Sequence, residues 1–159
     1  MEKIIIAAVA ENNVIGKDGD IPWHIPEDLQ HFKGKTTEHT VVMGRKTFQS
    51  LPNSFKPLPD RQNIVLTRSD FSKENESVTV ANSLDQAWQK SENEKIFIIG
   101  GAGIYRQTID EADKMIITEV HEEYKGDTYF PEWNQENWEE VERDERGEIS
   151  FVEYSRKTQ

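Results

Sequence analysis

One carboxylate beside apolar residues in a short helix is the first feature that could do chemistry. The segment "IPWHIPEDLQHF" covers residues 21–32, and helical spacing puts Asp28, Leu29 and Phe32 on one face. A carboxylate among apolar groups is costly unless a hydrogen bond or a charge compensates it. Such a group would suit a flat aromatic heterocycle with an edge of N–H donors. Helix N-terminal stabilisation by Asp28 and simple core packing of Trp23 are the alternatives.

Three further segments place glycines, cations and hydroxyls where strands should end. In "MGRKTF", two cations and Thr47 follow Gly44, a combination that suits phosphate. In "LTRSD", a phosphate site and a surface turn are equally compatible with Thr67, Arg68 and Ser69. In "IIGGAGIY", three glycines separate a buried strand from a helix, as a backbone close to a pyrophosphate requires. The spacing is not that of the dinucleotide fingerprint, so it indicates a phosphate loop and not a Rossmann fold.

Alternating strands and helices would position these segments. Buried strands are predicted at residues 3–10, 39–44, 62–67, 95–101 and 114–120, where apolar runs are nearly continuous. Helices are predicted from Pro26 to residue 34, after Ser83 as N-cap, and after the glycine turn. The pattern predicts an α/β fold: one domain over residues 1–159 with a mostly parallel central sheet and flanking helices. A turn at Arg146 and Gly147 predicts a C-terminal antiparallel hairpin.

Composition and charge restrict the possible functions. The chain has 159 residues, no cysteine and a formal net charge of -11. Thiolate catalysis and disulfides are therefore excluded, and binding to nucleic acid or to an anionic membrane is disfavoured. No apolar run reaches the ~20 residues that cross a bilayer, and the histidines lack metal-ligand spacing. We expect a cytoplasmic monomer without a metal, whose late acidic stretch is a solvated strand face and not a partner-binding tail.

Taken together, these segments resemble the dihydrofolate reductase family. "AAVAENNVIGKDGDIPWHIPEDLQHFK" is similar to the family's first strand, active-site loop and substrate helix. The family's order and spacing continue through "VVMGRKTFQSL", "KPLPDRQNIVLTR", "IFIIGGAGIY" and "YKGDTYFPEW". The resemblance implies reduction of 7,8-dihydrofolate to 5,6,7,8-tetrahydrofolate by NADPH, with protonation at N5. It also implies a role in one-carbon metabolism and in thymidylate and purine synthesis.

The resemblance assigns site residues in three groups. Asp28 would hold the 2-amino group and N3 of the pterin, with Trp23 and Tyr105 also in the catalytic group. Arg61 would bind the α-carboxylate of the glutamate tail, a bidentate task that suits a guanidinium. The other implied substrate residues are Ile6, Ala8, Leu29, Phe32, Leu51, Leu58, Ile99 and Thr118. The implied cofactor residues are Ala8, Ile15, Gly16, Gly44, Arg45, Lys46, Thr47, Leu66, Thr67, Arg68, Gly100, Gly101, Ala102, Gly103, Ile104 and Tyr105.

Three details of cofactor binding also follow from the resemblance. Arg45 and Arg68 would bind the 2'-phosphate, which favours NADPH over NADH. The loop over residues 12–23 would close over the nicotinamide. The family's paired glycines imply a cis peptide bond between Gly100 and Gly101.

Two other functions are compatible with parts of this pattern. A pyrimidine reductase of riboflavin synthesis also uses NADPH, but it gives no reason for the "PW..P.DL..F" pattern around Asp28. A noncatalytic pterin or nucleotide carrier would bind the same ligands, but it would need neither Asp28 nor a complete cofactor cleft.

Overall fold

The computed structural model describes residues 1–68 and 78–157, so Ser69 lies outside the described part. The strands are β1 Glu2–Ala10, β2 Val14–Gly16, β3 Thr40–Gly44, β4 Gln62–Leu66, β5 Thr79–Ala81, β6 Lys95–Gly100, β7 Lys114–Val120, β8 Thr128–Tyr129, β9 Trp138–Glu145 and β10 Ile149–Arg156. The helices are α1 Pro26–Thr36, α2 Arg45–Ser50, α3 Leu84–Lys90 and α4 Ala102–Thr108, with 3-10 turns at Asn53–Phe55 and Gln135–Asn137.

Eight strands form one central sheet in the order β5-β4-β3-β6-β1-β7-β10-β9. Every pairing from β5 to β7 is parallel, and β10 is antiparallel to both β7 and β9. The predicted α/β fold with a mostly parallel sheet and a C-terminal antiparallel hairpin is therefore confirmed. The hairpin turns where predicted, at Arg146 and Gly147, and Gly147 has φ +87°.

Local sequence signals account for the helix starts. Pro26 occupies the first turn of α1, where its missing N–H costs no hydrogen bond. Ser83 caps α3 by accepting a hydrogen bond from the Gln86 N–H, as predicted. Helix α1 continues to Thr36, two residues further than the sequence indicated. The short strands β2, β5 and β8 were not predicted, because two or three residues are too few for a hydrophobic period to show.

Alternating side chains of the sheet build two apolar layers. On one face, Ile5, Val42 and Ile98 pack with buried residues of α3 and α4. On the other face, Ile6 and Met43 pack with buried residues of α2 and with the partly buried side of α1. The second layer is the one that carries the candidate site, because α1 bears Asp28.

The acidic C-terminal region forms the exposed edge of the sheet. Residues 139–145 of β9 are all exposed, which confirms the predicted solvated strand face. Arg143 pairs there with Glu119 at 2.8 Å and with Glu140 at 2.7 Å. Charged side chains on an edge strand disfavour pairing with another sheet. Within the described residues, no helix is long and apolar enough to cross a membrane.

Candidate active site

The carboxylate of Asp28 is fixed by a residue from the middle of the sheet. The Thr118 hydroxyl donates a hydrogen bond to Asp28 Oδ1 at 2.6 Å, although 90 residues separate the two in sequence. Thr118 is 3% exposed and lies on β7, where it pairs with Ala8 of β1. Asp28 itself is partly buried in the first turn of α1. Asp28 and Thr118, both implied by the resemblance as substrate residues, are therefore in direct contact.

Two opposing effects set the protonation of Asp28. Burial raises the pKa of this carboxyl, because the ionised form loses hydration. The hydrogen bond from Thr118 lowers the same pKa, because it stabilises the ionised form. Burial is the larger effect, so the pKa of Asp28 lies above its ordinary value. A partly buried carboxyl whose pKa is raised is a candidate functional group.

We expect Thr118→Val to raise the pKa of Asp28 further, because the ionised carboxylate loses its donor. Loss of a hydrogen bond to a charged group should lower kcat/KM near neutral pH by about tenfold. The pKa can be followed by NMR titration of the carboxyl carbons, with Asp28→Asn to assign the resonance. Thr40→Val is the matched control, since Thr40 is buried but its hydroxyl contacts Gln62 and not Asp28. A pKa that stays at the wild-type value would contradict the role of Thr118.

Apolar side chains form a wall beside Asp28. Ile6 and Leu58 are buried, and Phe32, Leu51 and Ile99 are partly buried against the same cluster. These five residues, all implied by the resemblance, therefore share one layer. Leu29 is not packed in that cluster and has 51% of its surface exposed on α1, so its contact with substrate stays a prediction. Ala8 is partly buried on β1 beside Thr118.

Arg61 is held at the end of α1 by two oxygen atoms. Its Nε donates to the Pro59 carbonyl oxygen at 2.8 Å, and its Nη1 donates to Thr36 Oγ1 at 3.0 Å. The guanidinium lies 6.0 Å from the centre of the Phe32 ring. Burial lowers the pKa of Arg61, with Asp60 acting in the opposite direction. Arg61 therefore lies next to the C-terminal end of α1, whereas Asp28 lies in the first turn of the same helix.

Trp23 lies beside the start of α1 and contains an unsatisfied donor. Its ring centre is 5.0 Å from that of Tyr124, and it packs against the buried residues Val120, Ile149 and Phe151. Within the described residues, its buried Nε1 has no hydrogen-bond partner. A buried indole N–H normally has an acceptor. Core packing therefore accounts for the ring of Trp23 but not for its N–H.

The predicted cofactor segments meet at one edge of the sheet. Strands β4, β3 and β6 are parallel neighbours that end at Leu66, Gly44 and Gly100. Because parallel strands have their carboxyl ends at the same edge, the segments that follow them lie together. This edge gathers the implied cofactor residues Gly44, Arg45, Lys46, Thr47, Leu66, Thr67, Arg68, Gly100, Gly101, Ala102, Gly103, Ile104 and Tyr105. Lys46, Arg68 and Gly103 are exposed there.

The glycine turn after β6 forms a close cradle. Gly100 has φ +126°, which disfavours any other residue, and a Cβ there would lie 3.6 Å from Thr47 Oγ1. A Cβ on Gly101 would lie 3.5 Å from the same hydroxyl. The peptide bond between the two glycines is cis, as predicted. Thr47 and the glycine turn are therefore adjacent, and side chains at the glycines would occupy the space between them.

Tyr105 packs against the glycine turn. It is 5% exposed, and its hydroxyl donates to the Ile6 carbonyl oxygen at 2.8 Å. A Cβ on Gly100 would lie 3.4 Å from that hydroxyl. Burial raises the pKa of Tyr105 above its ordinary value, because the ionised phenolate would lose hydration. Tyr105 thus connects β1 to the glycine turn.

A second segment of the chain fastens the loop predicted to close over the nicotinamide. Within that loop, the partly buried residues Ile15 and Gly16 lie on β2, which pairs with β8. The Asp18 N–H donates to Asp127 Oδ2 at 2.9 Å, and the Asp127 N–H donates to the Gly16 carbonyl oxygen at 3.0 Å. Asn12 Nδ2 donates to the Tyr124 carbonyl oxygen at 2.8 Å.

Gly126 permits this close approach, so Gly126→Ala should separate the two segments. Its Cβ would lie 2.6 Å from the Gly16 carbonyl oxygen and closer still to a methyl group of Val14. We expect the KM for NADPH to rise about tenfold, because a displacement of about 1 Å at a site can cost up to ~100-fold. Steady-state kinetics with varied NADPH measure the effect. Gly34→Ala is the control, because no atom lies within 4 Å of its Cβ position. Equal kinetics in the two variants would refute the positional role of the Gly126 segment.

Several residues around the site were not predicted from the sequence. Thr36 holds Arg61, Asp127 holds the loop, and Asn63 is a buried amide next to the apolar wall. The sequence does contain a signal for Asn63, because a polar residue at the start of the apolar run "NIVL" indicates a polar group that is buried with the strand. For Gly126 and Asp127, the only sequence signal is their position in the segment "YKGDTYFPEW", which resembles the family.

Comparisons with known proteins agree with this geometry. A family model for dihydrofolate reductase matches residues 3–156. The chain is 42% identical over 162 residues to dihydrofolate reductase HdrB from Haloferax volcanii, covering 97% of this chain and 83% of that protein. It is 41% identical over 160 residues to dihydrofolate reductase from Bacillus subtilis, covering 96% and 93%.

A solved structure extends the agreement to the whole fold. The dihydrofolate reductase from Enterococcus faecalis complexed with NADP(H) and RAB-propyl matches with a TM-score of 0.86 and 35% identity. The match covers 99% of this chain and 97% of that one. The chain therefore belongs to the dihydrofolate reductase family.

Proposed function

We propose that this chain reduces 7,8-dihydrofolate to 5,6,7,8-tetrahydrofolate with NADPH, for one-carbon metabolism. The observation that carries the proposal is the Asp28 carboxylate, which Thr118 holds at 2.6 Å beside an apolar wall. Family membership supports the reaction, and the cradle at the ends of β3, β4 and β6 supports the cofactor. We further propose that residues 1–159 act as a single-domain monomer in the cytoplasm. One central sheet connects the substrate and cofactor regions, its exposed edge strand β9 is charged, and the chain has no cysteine.

Asp28 is proposed to orient the pterin ring. An ionised carboxylate accepts two hydrogen bonds side by side, which suits the 2-amino group and N3–H of a pterin. Thr118 holds one carboxylate oxygen in place, so the rotamer of Asp28 is fixed before substrate binds. The ring would lie against Ile6, Phe32 and Ile99, which exclude water from its faces.

Proton delivery at N5 is proposed to use water and not Asp28 itself. In the orientation that the resemblance implies, Asp28 contacts the side of the pterin away from N5. Its negative charge raises the basicity of the ring, which favours protonation at N5. The unsatisfied Trp23 N–H is a donor that can hold a water molecule near this end of α1.

The residues present fit NADPH. When bound, NADPH supplies the hydride that C6 of the pterin accepts. Lys46, Thr47 and the glycine turn would hold the pyrophosphate, because a Cβ at Gly100 or Gly101 would occupy that cradle. Arg45 and Arg68, which follow adjacent strands, would hold the 2'-phosphate. Tyr105 would keep the glycine turn in position through its bond to β1.

The experiment that tests the proposed function is a turnover assay with product analysis. We expect the near-ultraviolet absorbance of NADPH to fall when purified protein and dihydrofolate are added, with tetrahydrofolate formed in equal amount. Tight binding of both ligands without product would instead identify a carrier. The riboflavin-pathway alternative is disfavoured by the family match, and oxidation of NADPH that needs a pyrimidine and not dihydrofolate would reinstate it.

A further inference from the structure

A buried amide outside the substrate-contacting set carries a further inference. Asn63 is 1% exposed and lies at the start of β4. Its Oδ1 accepts from the Leu58 N–H at 2.9 Å, and its Nδ2 donates to the Leu58 carbonyl oxygen at 2.9 Å. The same Nδ2 donates to the Arg61 carbonyl oxygen at 3.1 Å. One side chain therefore holds both ends of the turn from Leu58 to Arg61.

This turn needs external support. Asp60, in its middle, has φ +60°, a left-handed conformation that is uncommon for a residue other than glycine. Such a conformation persists only when its surroundings hold it. The Asp60 carbonyl oxygen accepts from the Glu38 N–H at 2.8 Å, and the amide of Asn63 makes three further hydrogen bonds to the turn.

The turn carries two parts of the substrate site. Leu58, at its start, is buried in the apolar wall. Arg61, at its end, uses Nε and one N–H of Nη1 on Pro59 and Thr36. A guanidinium has five N–H donors, so the other N–H of Nη1 and the two of Nη2 can bind a carboxylate. Because the bonds to Pro59 and Thr36 fix the guanidinium, these donors point in a fixed direction.

We propose that Asn63 is a positioning residue for recognition of the substrate's glutamate tail. It fixes the backbone of the Leu58–Arg61 turn, so that the Arg61 guanidinium is aimed before substrate binds. The amide itself is buried and makes its bonds to the turn, so it acts through Arg61. This inference rests on the proposed function, because that function supplies the carboxylate which Arg61 would bind.

The test compares substrates with and without the tail. For Asn63→Ala we expect the KM for dihydrofolate to rise about tenfold with kcat nearly unchanged, a loss of the size of one to two hydrogen bonds. The KM for 6-methyl-7,8-dihydropterin, which has no glutamate tail, should stay within about twofold. Asn63→Ser is smaller and keeps a neutral hydrogen-bonding group, so it should give the same split if Asn63→Ala does not fold.

Combining the change with Arg61→Leu separates positioning from a general structural effect. If Asn63 acts through Arg61, Asn63→Ala should add almost nothing to the KM effect of Arg61→Leu, because coupled residues are not additive. Ser150→Ala is the control, since Ser150 lies on β10, is 1% exposed and contacts His121 at 2.8 Å. It should lower stability without changing either KM.

The outcomes distinguish the two levels of the proposal. Equal KM increases for both substrates, or full additivity with Arg61→Leu, would overturn the positioning role of Asn63. An Arg61→Leu variant with an unchanged KM for dihydrofolate would instead refute the tail-binding role of Arg61 in the proposed function.

Discussion

Replacement of Asp28 by Asn should reduce kcat at neutral pH by at least a hundredfold. The neutral amide can still accept the Thr118 hydrogen bond, so the local structure should persist. It cannot accept two hydrogen bonds from the pterin edge, and it carries no charge to raise the basicity of N5. General acid–base assistance of this kind is worth about 10²- to 10⁴-fold. Steady-state and single-turnover kinetics with saturating NADPH measure the loss.

The pH dependence of the Asp28→Asn variant gives a second, independent readout. Its activity should rise as pH falls, because solution protonation of dihydrofolate then replaces the missing assistance. Glu27→Gln is the matched control. Glu27 is the neighbouring acid on α1, but it is exposed and pairs with Arg146 at 2.9 Å. Near-normal turnover in Asp28→Asn, or equal losses in both variants, would remove the catalytic role of Asp28.

Replacement of both Arg45 and Arg68 by Gln should abolish most of the preference for NADPH. Each arginine follows one of two paired parallel strands, β3 and β4, so both lie at the cofactor edge. Charge-assisted hydrogen bonds to a phosphate are about twice as strong as neutral ones. Loss of two such contacts should raise the KM for NADPH about a hundredfold, with little change in the KM for NADH.

The comparison of the two cofactors is the critical part of this experiment, since NADH lacks only the 2'-phosphate. Arg143→Gln is the control, because Arg143 lies on the C-terminal hairpin and pairs with Glu119 and Glu140. It should leave both KM values unchanged. If the double variant raises the KM for NADPH and the KM for NADH by the same factor, the two arginines do not bind the 2'-phosphate. They would then stabilise the fold or contact another part of the cofactor.

The sequence predicted the elements whose signals are local. Continuous apolar runs located the five long parallel strands, and Pro26 and Ser83 located two helix starts. The turn at Gly147 located the hairpin, because a positive φ is a local property of glycine. The strands β2 and β8 pair with each other across more than 100 residues, and no local pattern predicts such a pairing.

The candidate site was predictable only in part, for the same reason. The resemblance implied both Asp28 and Thr118, but their contact joins α1 to β7 and depends on the whole sheet. Thr36 and Asp127 were missed because each acts on a residue far away in sequence. Leu29 shares a helix with Asp28 and Phe32, yet it is half exposed. Helical spacing alone could not indicate how far the wall extends.

Hydride transfer from NADPH to C6 of dihydrofolate, at the site that Asp28 organises, can be followed by isotope labelling. The most direct measurement is a single turnover with NADPH that carries deuterium in both positions at C4. We predict tetrahydrofolate with one deuterium at C6 and a proton from solvent at N5, formed with a slower transfer step than with unlabelled cofactor. Tetrahydrofolate without deuterium at C6, or bound cofactor and substrate that yield no tetrahydrofolate, would show that hydride does not pass from NADPH to C6 at this site.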